Sequence, residues 1–276
     1  MSYLAYEVCA PLLAHMSYFP VLSVPGCVGR TTLFNFPPND WECKSGSTSY
    51  VTLTWAHNSR WHTVIVDELA YGANKSYERC HLASYLPEDS LPLLSLASSP
   101  PTGPTQLLPI SPHRTYLPSW RATIELVTPH SSTSYQGELD PFPVPGSLLT
   151  LSPLLQISDS LMNFVLLLNL EKFPAKRRSM FKVFNLSQSY RFLREFEIVN
   201  NSINVIRLDN LGLEPRDLPI GICADMSAIP LYLTIADDAR FLSLEHTHPP
   251  ASYVIHGRRW EAQRLLKNLW FSRLQK

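Results

Sequence analysis

The densest run of groups able to do chemistry is Glu245-His246-Thr247-His248, followed by Pro249-Pro250. Two imidazoles separated by one residue on a strand point the same way, because successive side chains alternate between faces. Such a pair can chelate a divalent metal or exchange protons near neutral pH. A full metal site needs one or two more ligands, and His256 and Asp225 are the nearest suitable groups along the chain. His246, His248 and His256 are therefore the metal candidates, while His57, His62 and His81 lie far off in sequence. In the plainer reading the pair closes the inward face of a strand, hydrogen-bonded to backbone, and the two prolines stop it.

The residues ahead of this run fix its geometry. Ile229, Leu231, Leu233 and Ile235 alternate with Pro230, Tyr232, Thr234 and Ala236, which is a strand with one apolar face. Asp237-Asp238-Ala239-Arg240 is a turn signal, and Phe241 to His248 is the returning strand. A turn centred between Asp238 and Ala239 pairs Ile235 with Leu242, Leu233 with Leu244, Leu231 with His246 and Ile229 with His248. Both imidazoles then share the face of Leu242 and Leu244, and Glu245 points to the other.

The string His246-Thr247-His248-Pro249 resembles the core of the JAMM metalloprotease signature. That signature continues to a serine and a metal-binding aspartate, whereas here Ser252 comes too early and Ile255 stands three residues after it. The pair also resembles the His-x-His of the cupin pattern, yet after His248 the next glutamate is Glu261, inside an expected helix. The residues assign the chain to neither family.

Other catalytic signatures are missing. The chain has no Gly-x-Gly-x-x-Gly, no Walker-type Gly-Lys-Ser/Thr and no Gly-x-Ser-x-Gly. Asp237-Asp238 sits at a turn, where solvated acids are the default, and Tyr135-Gln136-Gly137-Glu138 reads as a strand end. Trp41, Trp55, Trp61 and Trp120 could stack on sugar faces or, as is commoner in β proteins, fill a core.

Composition narrows the partners. The 23 basic and 23 acidic side chains cancel, so the surplus of cations that holds a nucleic acid is absent. The 24 prolines against 10 glycines disfavour long helices and suit short strands joined by turns. Cys9, Cys27, Cys43, Cys80 and Cys223 are odd in number and widely spaced, with no Cys-x-x-Cys. With the apolar but base-poor stretch Met1 to Val24, which lacks the start of a signal peptide, they favour a reducing, cytoplasmic setting. Leu161 to Leu170 is too short to cross a bilayer, so the expectation is a soluble protein without a transmembrane span. Sequons at Asn74, Asn185 and Asn200 would matter only after export.

Strand alternation recurs at Val51 to Ala56, His62 to Leu69 and Ala122 to Val127, and further strand candidates separated by turn formers follow at Phe164 to Leu170, Met180 to Leu186, Tyr190 to Val199 and Ile203 to Leu208. The first two read as a hairpin with a loop of moderate length. Pro87 to Pro118 holds no period and reads as an extended linker or a long surface loop. At 258–276 the period becomes helical, with Ala262, Leu265, Leu266, Leu269, Trp270 and Leu274 on one face and a largely basic polar face.

The expected fold is all-β and mainly antiparallel: two sandwich-like units, or one elaborated sandwich, closed by a C-terminal amphipathic helix. The division placed is residues 1–110, a β-rich unit ending in the Pro/Ser-rich stretch, and 111–276, a sandwich-like unit with the terminal helix. The function this favours is a non-enzymatic binding or assembly module for a protein or glycan surface, with homo-oligomerisation open. One alternative is a metal-dependent enzyme or metal-stabilised domain built on His246 and His248, which would need a divalent cation; otherwise no cofactor is called for. A second is a membrane-peripheral protein held by its basic terminal helix.

Overall fold

The computed structural model describes residues 18–35, 48–87, 90–97, 101, 103–109, 122–136, 139, 141–142, 144–151, 157–246 and 259–274, without the side chains of 151, 246, 259–264 and 266. Among them, sixteen strands form four antiparallel sheets. The first sheet runs β1 (Phe19–Pro20), β6 (Leu93–Ala97), β3 (Ser49–His57), β4 (Arg60–Leu69). The second runs β5 (Asn74–Glu78), β2 (Val28–Phe34), β7 (Ala122–Val127), β8 (Ser132–Tyr135). The third runs β13 (Ser202–Arg207), β10 (Leu161–Asn169), β15 (Ile229–Ala236), β16 (Leu242–His246). The fourth runs β12 (Arg191–Val199), β11 (Arg178–Asn185), β14 (Pro219–Cys223), β9 (Leu148–Leu151). A single helical turn, α1 (Arg79–Leu82), follows β5, and the chain ends in α2 (Arg259–Leu274). The mainly antiparallel β class with a C-terminal helix is as the sequence implies. No helix among the described residues is long and apolar enough to cross a membrane.

Local chemistry sets the turns. Between β3 and β4, Asn58 and Ser59 take φ of 49° and 55°, the paired left-handed conformation of a two-residue hairpin turn. The connection is thus tighter than the expected loop, because Asn tolerates positive φ and lets the strands pair up to His57 and Arg60. At β2, Gly29 is required by packing: a Cβ there would lie 1.9 Å from the Leu22 carbonyl oxygen.

The sheets stack in sandwich-like pairs. Leu53 and Leu94 of the first meet Leu33, Tyr77 and Ala122 of the second, with Leu82 of α1 sealing the layer. Val165, Leu167 and Tyr232 of the third meet Phe181, Val183, Ile198 and Leu148 of the fourth. A further core joins the two pairs: Ile124, Leu126 and Tyr135 pack with Phe164, Leu166, Leu168, Leu231, Leu233, Leu242 and Leu244. The third sheet is consequently covered on both faces. This corrects the expectation for β15, whose second face is not exposed, since Tyr232 and Thr234 are buried too.

One further expectation changes at the level of topology. Leu93 to Ala97, inside the proline-rich stretch, is a fully buried strand paired on both sides, by β1 and β3. Pro92 precedes its first residue, a position where a missing amide donor costs the ladder nothing. Farther along, Thr105 exchanges two backbone hydrogen bonds of 2.8 Å with Trp61, and Leu108 is buried. The second sheet takes β7 and β8 from beyond residue 110 and β2 and β5 from before it, so strand pairing crosses that position.

Candidate functional site

The hairpin that carries the first histidine has the register its turn dictates: Ile235 opposes Leu242, Leu233 opposes Leu244 and Leu231 opposes His246. Ala239 takes φ of 60° at its tip, and the Ala239 amide donates to the Ala236 carbonyl at 2.8 Å. Glu245 is exposed opposite Tyr232, on the face away from Leu242 and Leu244. His248, His256 and the side chain of His246 lie outside the described residues.

Asp225, the other candidate ligand, is committed elsewhere. Its carboxylate accepts from Ser179 Oγ and, at 3.5 Å, from Cys223 Sγ, with Arg177 at 3.8 Å. Arg177 also donates to the buried Glu171 at 2.5 Å, whose other oxygen accepts from Asn200 Nδ2 at 2.9 Å. The Glu171 carboxylate raises the pKa of the Arg177 guanidinium by hydrogen bonding and favours its charged form. Asn201 closes the network, accepting from the Glu171 amide at 2.7 Å and donating to the Phe173 carbonyl at 2.8 Å. Among the described residues, the Cys223 thiol has Ser179 and the Asp225 carboxylate as its hydrogen-bond partners, and no histidine. The cluster ties the β10–β11 and β12–β13 connections together and keeps buried charge paired.

The tryptophans divide in the same way. Trp55 and Trp61 are core residues, and Trp61 Nε1 donates to the Lys172 carbonyl at 2.9 Å, which removes them from any sugar platform. Trp41 and Trp120 are outside the described residues. His62 stacks on Trp55 at 5.6 Å and meets His57 edge-on at 5.9 Å, at the exposed end of the β3–β4 hairpin. Of the sequon asparagines, Asn185 and Asn200 are buried and only Asn74 is exposed. Cys27, Cys80 and Cys223 are free thiols.

A further candidate surface lies over the fourth sheet. There α2 docks through Lys267, Trp270, Phe271 and Leu274, one face at helical spacing, against Phe184, Ile220, Ile222 and Leu149. This corrects the apolar face read from sequence: Leu265 and Leu269 are 61% and 59% exposed. The face is rotated because the rings of Trp270 and Phe271 bury more area than two leucines, while Lys267 lays its stem along the sheet. Lys267 Nζ donates to the Ser147 carbonyl at 2.9 Å, and burial pulls its ammonium below the usual lysine range.

Beside the end of α2 opens a groove of about 800 Å³ lined by Lys182, Phe184, Phe192, Leu193, Arg194, Glu195 and Leu274. Its wall is β12, the end strand of its sheet. A bulge opposite Val183 and Phe184 lets Leu193 slip out of register, turning Phe192 outward to meet Phe184 edge-on at 5.5 Å. Phe192 stays 50% exposed, and Tyr190, 40% exposed, packs on Trp270. The run Tyr190 to Val199 marked a strand; its place at a sheet edge is non-local and left no sign in the sequence.

A smaller cleft of about 340 Å³ brings Asp159, Asp209 and Asp237 beside Asn163. Asp209 is already engaged, by Arg207 at 2.8 Å and by the Asn163 amide at 2.8 Å. No family model matches the chain, and no curated protein or solved structure matches it.

Proposed function

We propose that the chain is a non-enzymatic binding or assembly module that takes an extended segment of a protein partner along β12. The observation that supports this most is the groove of about 800 Å³ beside an edge strand, with a half-exposed phenylalanine in its wall. An edge strand offers unpaired amides and carbonyls to an added strand, and flanking pockets read alternate side chains of the incoming chain. Phe192 and Leu274 suit an apolar side chain, while Lys182 and Arg194 outnumber Glu195 and suit an acidic one. A glycan partner draws no support from Trp55 and Trp61, which are core residues.

The test is selection from a random peptide library displayed on phage, against the full chain and against Phe192→Asp. Peptides with alternating apolar and acidic residues should enrich on the first and lose at least tenfold on the second. No enrichment, or enrichment indifferent to Phe192→Asp, would sink the reading.

A membrane-peripheral role is the second reading, supported by the exposure of Leu265 and Leu269 on a helix that also carries exposed Arg273. Co-sedimentation with phosphatidylserine vesicles, abolished by Leu265→Glu with Leu269→Glu, is the expected result. Equal sedimentation of wild type and variant dismisses it.

A further inference from the structure

We infer that Glu78, Cys80 and His81, at the junction of β5 and α1, form a binding site for a thiophilic divalent cation of the zinc type. The proposal uses none of His246, His248 and His256 and is independent of the groove. One carboxylate oxygen, the thiol and one imidazole nitrogen all lie within 4.8 Å of one another, the spread of ligands around a single small cation. Glu78 Oε2 and Cys80 Sγ are 3.7 Å apart. His81 Nδ1 accepts from the Glu78 amide at 3.2 Å and the Glu78 side chain accepts from the His81 amide, a capping box that already holds these two side chains together.

The segment is held at both ends before any cation arrives. Tyr77 and Leu82 flank the three donors and are both buried in the core between the first two sheets. Arg30 grips Glu78 Oε1 from β2 at 3.0 and 3.1 Å, which fixes the carboxylate and leaves Oε2 toward the thiol. Glu125 reaches the same guanidinium at 3.8 Å and offsets its charge. Arg79 is tethered to the Ser90 carbonyl at 3.0 Å. A site fixed in this way loses little ordering entropy on binding.

The donor set selects the ion. One sulfur and one nitrogen exclude calcium and magnesium, which need oxygen cages, and favour zinc among biological divalent ions. Three protein ligands leave a fourth position, and because Cys80 and His81 are exposed it takes water. Binding sends the Cys80 thiol proton to solvent, so affinity rises with pH. The sequence signal is the contiguous Glu-x-Cys-His, which reading Cys80 as an isolated thiol passes over.

Cobalt(II), titrated into the full chain with a non-thiol reductant, should give a saturable thiolate-to-cobalt charge-transfer band at one equivalent, displaced by zinc. Cys80→Ser should abolish the band, and His81→Ala should weaken cobalt binding by roughly tenfold or more. The paired change His246→Ala with His248→Ala should titrate as wild type. Circular dichroism melts confirm that each variant is folded, which exposed positions allow. A wild type without the band, or a Cys80→Ser chain that keeps it, overturns the assignment.

Discussion

β10 and β15 run through the middle of the molecule, and β12 runs along its rim. Along β10, residues Asn163 to Asn169 are buried without a break, and the polar ones are paired: Thr234 donates to Asn163 at 2.8 Å, and Asn169 donates to the Ser227 carbonyl at 2.5 Å. Along β12 only Ile198 is fully buried, and charged residues recur at Arg191, Arg194, Glu195 and Glu197. The same strand geometry serves two ends. A strand covered on both faces carries stability and tolerates little, whereas an edge strand with charges resists unwanted pairing and stays free to recognise.

That contrast can be broken most directly at Leu231, fully buried in the core that joins the sheet pairs. Leu231→Ala should cost about 2–5 kcal/mol in urea unfolding, and a cost under about 1 kcal/mol would mean that the middle sheet is not the keystone described. Gly221→Ala tests the packing on the other side of the third sheet's core, where a Cβ would lie 2.1 Å from the Phe181 ring. It should cost about 1–3 kcal/mol, and Phe181→Leu in the same chain should return part of that.

Lys267 probes the boundary between buried and exposed. Its pKa in the folded chain is lowered by burial, so the unfolded chain binds more protons between that value and the ordinary 10.5. Stability should therefore rise with pH across this window, and below it the charged amine carries its full desolvation cost. Lys267→Met should flatten the rise in a pH series of unfolding curves, changing neutral stability by no more than about 1 kcal/mol because the amine is half exposed. The smallest effect belongs to the rim: Phe192→Asp should leave stability within about 0.5 kcal/mol while removing peptide capture. A large loss of stability there would make Phe192 a core residue instead of a recognition residue.

The hairpin β15–β16 was legible from residues alone, because an even turn at Asp238-Ala239 and a period of two leave one register that buries Leu233 against Leu244. The strands from Phe164 to Leu208 were legible as short runs bounded by the turn formers Pro174, Ser187-Gln188-Ser189 and Asn200-Asn201. β6 was not, since Pro92 and the prolines after Ala97 mask five residues whose burial depends on β1 and β3 from elsewhere in the chain. The face of α2 was misread because leucine spacing states which residues could be buried, and the sheet beneath decides which are. Glu78, Cys80 and His81 were visible as letters, but their convergence depends on Arg30 and on the anchoring of Tyr77 and Leu82.

By itself, then, the sequence determined what is local: the β class, the pairing of Leu231 with His246 and the helical period after Arg258. Alternation and helical period act over a few residues, so they can be read without knowing the fold. Tertiary structure alone decided what is non-local: that β15 is covered on both faces, that β7 and β8 join β2 and β5, that α2 turns Lys267 inward, and that β12 ends a sheet. Each of these depends on which distant surface arrives to remove apolar area from water, and no spacing along the chain encodes that.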